Sequence, residues 1–290
     1  MVEPTPAEAG NGTIRAGAVM GKFSWAIVSE PGPFRDHNED FVAARVLTTP
    51  DDSWDRGPLL VLADGMGGHA AGEVASRTAV EALVEAYASG SGSPQQLLKG
   101  AARAANLAVV DASHEPGRNG MGTTLLGLAL GGTEAVVAHV GDSRAYLARG
   151  ETCTQLTNDH SRVGEMLRMR MISAEQAANH PARSQLTRSL GGDPFVQIDL
   201  VRQAVQRHDT LVLCSDGLWD VVSRPEIAEV GLELARGGLA TAMEAADHLV
   251  RLAVERGSTD NVSAVLVHLT SDLPIPPAGG RRFRLRRSRP

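Results

Sequence analysis

Four aspartates of this chain stand where an apolar run meets turn-forming residues, and each could present a carboxylate from a rigid position. Asp64 closes VLAD ahead of Gly65, Asp142 closes VAHVGD, and Asp216 closes LVLCSD ahead of Gly217; Asp260, in STDN, precedes an apolar run instead. A further acidic cluster, Arg35-Asp36-His37-Asn38-Glu39-Asp40, opens another such run. Hard divalent cations take carboxylate and carbonyl oxygens in near-octahedral arrangements and retain several waters. Strand-end carboxylates on a sheet gather such ligands efficiently from distant positions. Taken singly, each Asp-Gly is also an ordinary turn, because both residues favour one. The set, in this order, is what points to a metal site.

The elements that must position these groups can be read from periodicity and breakers. Short β-like runs, FSWAIVS, DFVAARVL and PLLVLAD, precede a helical stretch from about 72 to 88. A second helix is expected from Pro94 to about Ala112, with Ser93 as N-cap and Pro94 at the first helical position. TTLLGLAL, EAVVAHVG, SRAYLARG and ETCTQL then read as strands separated by Gly-containing hairpin turns. Residues 161–190 are polar and poorly periodic, with short helices expected around 163–170 and 174–179. Strands FVQIDLVR and DTLVLCSD, helices near 225–236 and 239–255, and a last strand NVSAVLVHL complete the chain. Hairpins in series with helices in pairs predict an α+β fold of antiparallel sheets covered by helices, not a βαβ repeat. Gly65-Met66-Gly67-Gly68 lacks the spacing of a dinucleotide-binding loop.

Composition sets the outer bounds. Of 290 residues 42% are hydrophobic and only 3% aromatic, so the core must be built from Ala, Val and Leu. No run approaches the roughly 18 apolar residues of a membrane span, and the first twenty residues lack a secretory layout. Cys153 and Cys214 read as separate reduced thiols, and a cytoplasmic location is the expectation. Residues 1–21, rich in Pro, Ala, Gly and Thr, are expected to form a flexible arm, 22–270 one domain, and 271–290 a disordered Pro/Arg-rich tail. That tail ends RRFRLRRSRP, six arginines without an acid; the net charge of −6 is therefore −12 over residues 1–280. The arginines suit either a solvated terminus or weak contact with an acidic partner or membrane surface.

RDHNED, LADGMGGHAAGEVAS, MGTTL, GDSRAYL, LTNDHS, HPARSQLTRSLGG, CSDGLWD and STDNVS together resemble the ordered motif set of the PP2C (PPM) metal-dependent phosphatases, bacterial branch, from about Phe23 to His268. The resemblance implies a four-layer αββα sandwich, two antiparallel sheets flanked by helices, with a flap over about 161–190. It implies hydrolysis of phosphoserine and phosphothreonine in proteins, opposing bacterial Ser/Thr kinases, with two Mn²⁺ or Mg²⁺ and room for a third. Residue by residue, Asp64 matches the bridging carboxylate, Gly65 a carbonyl ligand, and Asp216 and Asp260 direct ligands. Glu39 and Asp40 match carboxylates acting mainly through water, and Asp142 with Asp216 a looser third site. Arg35 matches the phosphate-gripping guanidinium and Asn261 a polar neighbour of it.

These roles agree with the chemistry of the side chains. A bridging carboxylate holds cations about 3.5–4 Å apart, which suits in-line displacement by an activated water. The Arg35 fork can grip phosphate oxygens two at a time, as lysine cannot. Cys214 lies in an apolar strand without the Cys-(five residues)-Arg loop of cysteine-dependent phosphatases. Some relatives carry a histidine directly after the Asp-Gly pair; here that residue is Met66, which leaves a metal-bound water or another group to protonate the leaving alkoxide. His160 is expected to be structural, and the flap either a tolerated insertion or a selector of phosphoproteins helped by Arg168, Arg170, Arg183 and Arg188, with Met166, Met169 and Met171 as packing. A pseudophosphatase would have lost metal carboxylates, whereas Asp40, Asp64, Asp216 and Asp260 are all present with Arg35. The expected partners are phosphorylated proteins and a kinase, with no specific nucleic-acid binding and a monomeric state.

Overall fold

Strands that are apolar along most of their length need cover on both faces. β3 (Phe23–Glu30), β12 (Thr210–Cys214) and β13 (Val262–Leu269) are of this kind and are buried almost throughout. Alternation then divides their side chains between two cores. Trp25, Ile27, Leu211, Leu213, Val265 and Val267 enter the larger core, while Ala26, Val28, Val212, Cys214, Ala264 and Leu266 enter a second one.

The computed structural model describes residues 7–8, 12–46, 57–67, 71–131 and 133–272. Two antiparallel sheets emerge. The first joins β1 (Ala7–Glu8), β2 (Ile14–Met20), β3, β13, β12, β9 (Arg144–Arg149) and β10 (Thr152–Gln155) in that order. The second runs β11 (Asp199–Ala204), β8 (Glu134–Val140), β7 (Leu125–Gly131), β5 (Leu59–Met66), β4 (Asp40–Arg45), and the short β6 (Gly122–Thr123) pairs with β5. Helices α1 (Ala71–Ser89) and α2 (Pro94–Ser113) pack on the second sheet, and α6 (Arg224–Arg236) and α7 (Ala242–Glu255) on the first. The small helices α3 (Arg162–Arg168) and α4 (Ala174–Ala178) lie in the expected flap, and α5 (Asp216–Trp219) follows β12. The layers are therefore helix, sheet, sheet, helix.

Local chemistry explains the helix starts. Ser93 accepts from Gln96 N–H while its own N–H donates to Gln96 Oε1, with Pro94 at the first helical position. Two sequence expectations change. Residues 14–20, read as part of an arm, form β2 between β1 and β3; Ile14 is buried and Ala16 and Met20 are packed beside it on the larger core. Asp216, read as a turn after β12, instead opens the helical turn α5. The tail from residue 273 lies outside the described residues. Among the described residues no helix is long and apolar enough to cross a membrane.

Candidate metal centre

Antiparallel pairing brings the acidic motifs to one end of the sandwich. Register sets Asp40, first residue of β4, opposite Asp64 near the end of β5. The ends of β8 and β12 deliver Asp142 and Asp216 to the same side, and Asp260 immediately precedes the Asn261–Val262 entry to β13. Threonines fix the hub: Thr124 Oγ1 accepts the Asp64 N–H at 2.9 Å, and Thr123 Oγ1 donates to the Asp64 carbonyl at 2.8 Å. Two glycines let three chain segments meet as bare backbone. A Cβ at Gly65 would fall 2.1 Å from the Gly72 carbonyl oxygen, and one at Gly72 would fall 2.7 Å from Glu39 Oε1.

Asn261 organises the acidic loop. Its Oδ1 accepts from Glu39 N–H at 2.9 Å, and its Nδ2 donates to the carbonyls of Pro31 and His37 at 3.0 and 2.9 Å. Asp142 sits in the turn between β8 and β9, where its carbonyl accepts from the Trp219 indole at 3.1 Å. Arg144 lies 3.4 Å above the same indole and forks onto Asp159. His160 holds this turn from the other side. Its Nδ1 accepts the Gly141 N–H at 3.1 Å, so Nε2 carries the proton donated to Asp199 Oδ2 at 3.1 Å. His160 is thus structural, as expected, and stacks on the fully buried His139 at 4.5 Å.

The carboxylates pay for this gathering in their ionisation. Burial, then the charges of Asp40, Asp216, Asp142 and Asp260, push Asp64 well above the usual carboxylate range. Burial raises Asp216 to about 7, with Asp260 and Asp40 adding to it, and Asp142 to about 7, with Asp216 adding. Asp40 rises to about 6 through burial, although hydroxyls of Ser263 and Ser215 favour its charged form. Glu39 is raised by burial against the pull of Arg35. Among the described residues no three His, Cys, Asp or Glu side chains are gathered closely enough to chelate an ion as they stand. Asp260 Oδ2 is 2.7 Å from Arg35 Nη2.

An all-oxygen donor set that is buried or half-buried, mutually repelling and served by one half-exposed guanidinium fits hard divalent cations, and Mn²⁺ or Mg²⁺ in particular. Every predicted ligand, Glu39, Asp40, Asp64, Gly65, Asp142, Asp216 and Asp260, lies at this end of the fold. Arg35 stands at its rim, donating also toward the Thr259 carbonyl at 3.4 Å. His69, the histidine nearest in sequence to the Asp64-Gly65 pair, lies outside the described residues. Cys214 is fully buried and its thiol is pushed far up by burial, which removes it as a nucleophile.

Sequence reasoning missed the hydroxyls. Thr124, Ser143, Ser215, Ser263 and Ser29 form pairs beneath the carboxylates, yet serine and threonine beside Asp-Gly look like turn formers. The flap readings also shift. Arg183 pairs with Asp220 just after α5, and Arg188 with Asp199, while Arg168 and Arg170 are exposed. Met169 and Met171 are each 65% exposed and so do not serve as packing.

Comparison with known proteins bears on the same residues. The family model described as protein phosphatase 2C matches residues 34–262. The serine/threonine phosphatase stp of Listeria innocua is 38% identical over 245 residues, covering 82% of this chain and 93% of that protein. The crystal structure of the Mycobacterium tuberculosis serine/threonine phosphatase PstP/Ppp superposes with a TM-score of 0.73 at 36% identity, covering 86% of this chain and 99% of that one. The catalytic domain of the phosphatase PstP in complex with two manganese ions gives a TM-score of 0.72 at 34% identity, covering 86% and 99%.

Proposed function

The chain belongs to the protein phosphatase 2C family, and from that premise we propose that it hydrolyses phosphoserine and phosphothreonine in proteins with two bound Mn²⁺ or Mg²⁺ ions. The observation that carries this reading is the set of carboxylates gathered around Asp64 from separate strand ends, whose ionised forms desolvation and mutual charge disfavour. Asp64, Gly65, Asp216 and Asp260 would hold the two ions, Glu39 and Asp40 would serve their water shell, and Asp142 with Asp216 would form a third site. Ions held there supply positive charge that activates water and neutralises phosphoryl oxygens.

The remaining work falls to the chain. Arg35, half-exposed on a loop pinned by Asn261, presents its guanidinium to two phosphate oxygens. Its present partner, Asp260, fixes where that fork sits relative to the carboxylates. The open rim at Arg35 suits a phosphorylated side chain protruding from a protein surface. Residues 14–270, which include β2, act as one catalytic domain, with the flap beside the site tied to it through Arg183 and Arg188. The substrates are proteins modified by a Ser/Thr kinase, in the cytoplasm, met by a monomeric enzyme.

Hydrolysis of a phosphothreonine peptide with Mn²⁺, with and without excess chelator, tests the reading. Turnover should require the metal, vanish in Asp64→Ala, and be far weaker on a phosphotyrosine peptide. Unchanged turnover in excess chelator would overturn it.

A further inference from the structure

Asp40 is buried, and only one of its two carboxylate oxygens is tied to the protein scaffold by hydroxyls. Ser215 Oγ donates to Asp40 Oδ2 at 2.7 Å and Ser263 Oγ donates to the same oxygen at 2.6 Å. Ser263 lies in β13 of the first sheet and Ser215 directly follows β12 of the same sheet, while Asp40 opens β4 of the second, so these bonds cross between the sheets. A third serine backs them: Ser29 Oγ lies 2.7 Å from Ser263 Oγ and accepts from Asn38 Nδ2 at 2.8 Å. The proton inventory orients the chain. A serine carries one hydroxyl proton, and Ser263 commits its own to Asp40, so Ser29 donates to Ser263. Asn38, Ser29, Ser263 and Asp40 thus form a directed relay whose hydroxyls all point toward Oδ2.

Ser215 shows that this arrangement overrides ordinary local structure. It is the N-cap of α5, where a serine oxygen ordinarily accepts from the second or third helical N–H. Here its side chain makes no cap bond. Its oxygen accepts instead from Ser263 N–H at 3.1 Å while its proton goes to Asp40. Ser29, Ser215 and Ser263 are all fully buried.

We propose that Ser215 and Ser263, backed by Ser29 and Asn38, are positioning residues that saturate Asp40 Oδ2 and present Asp40 Oδ1 to the metal centre. The inference rests on the reading of Asp40 as a carboxylate serving bound divalent ions. Partners of this kind fix the rotamer of a metal-serving carboxylate, and their loss costs about 10–100-fold in affinity.

Manganese titrated calorimetrically into the chelator-treated and dialysed full chain, without substrate, reads the effect apart from turnover. Asp40→Ala is the reference and should weaken binding. Ser263→Ala and Ser215→Ala each remove one oxygen atom and should weaken it about tenfold. In the Asp40→Ala background the same serine substitutions should change nothing further. Melting curves in chelator establish that each variant is folded; if Ser263→Ala does not fold, Ser215→Ala carries the test. Wild-type isotherms for the serine variants beside a weakened Asp40→Ala would overturn the positioning role alone. A serine loss that persists without Asp40 would overturn it too, as a structural defect. Wild-type binding by Asp40→Ala would remove the reading on which the inference stands.

Discussion

The two ends of the sandwich bury aspartate in opposite ways. At the end away from the metal centre, Asp209 is 1% exposed and fully partnered: Arg149 forks onto it at 2.8 and 2.7 Å, and Gln206 N–H donates at 2.8 Å. At the other end Asp142 is buried and Asp64 and Asp216 half-buried among one another, with their ionised forms disfavoured by desolvation and mutual charge. A carboxylate buried with a guanidinium is finished structure. Carboxylates buried only with carboxylates are a site that waits for a cation from outside, and the cost is carried by the fold.

The largest test of that contrast removes one aspartate from each end. Asp64→Ala should cut phosphatase turnover at least about a thousandfold, roughly 4 kcal/mol of barrier at 1.36 kcal/mol per decade. The chelator-treated protein should nevertheless melt higher than wild type, because a carboxyl placed unfavourably among other carboxylates is gone. If it melts lower, the two ends do not differ as described. Asp209→Ala should do the reverse, lowering stability by about 2 kcal/mol in denaturant titration for lost charge-assisted bonds, with turnover within about twofold of wild type. Arg149 is 40% exposed, which keeps this below the cost of a wholly buried pair.

A smaller effect follows from pH. Asp216 and Asp142, raised to about 7, and Asp40, raised to about 6, hold protons in the fold that the unfolded chain has released above about 4. Their contribution to metal-free stability is full below that value and is lost as pH rises through 6 to 7. His139, pushed down to about 3 by burial, works the opposite way below about 6.5. The difference in melting temperature between manganese-loaded and chelator-treated protein cancels the histidine part. That difference should be large at pH 8 and shrink as pH falls from 7 toward 5, because protons compete with the ions for the carboxylates. A difference independent of pH would show that these groups do not bind the metal. The smallest change should come from Arg183→Ala, which breaks an exposed pair with Asp220 and should move stability by less than about 0.5 kcal/mol.

Much of this was legible in the chain. The strand-end aspartates, the glycines beside them and the Ser93-Pro94 helix start are written in local residue types, because turns and caps depend on a few adjacent positions. β2 was not legible, since its alternation is carried largely by small residues, Ala16, Gly17 and Ala18, whose pattern is faint. Neither were the flap's exposed methionines, because burial depends on what lies across the surface and not on hydrophobicity alone.

By itself, then, the sequence determined which oxygens are available, and in what order along the chain, because carboxylate chemistry and turn chemistry are properties of single residues and their neighbours. Only the tertiary structure decided that Asp40 stands opposite Asp64 and that Asp260 faces Arg35. It also decided that Ser263 of one sheet and Ser215 at the end of its neighbouring strand point at a carboxylate of the other sheet, with Ser29 behind Ser263. The reason is register: a one-residue slip in a strand turns every side chain to the opposite face. Convergence is therefore a property of the paired sheets and of no segment alone.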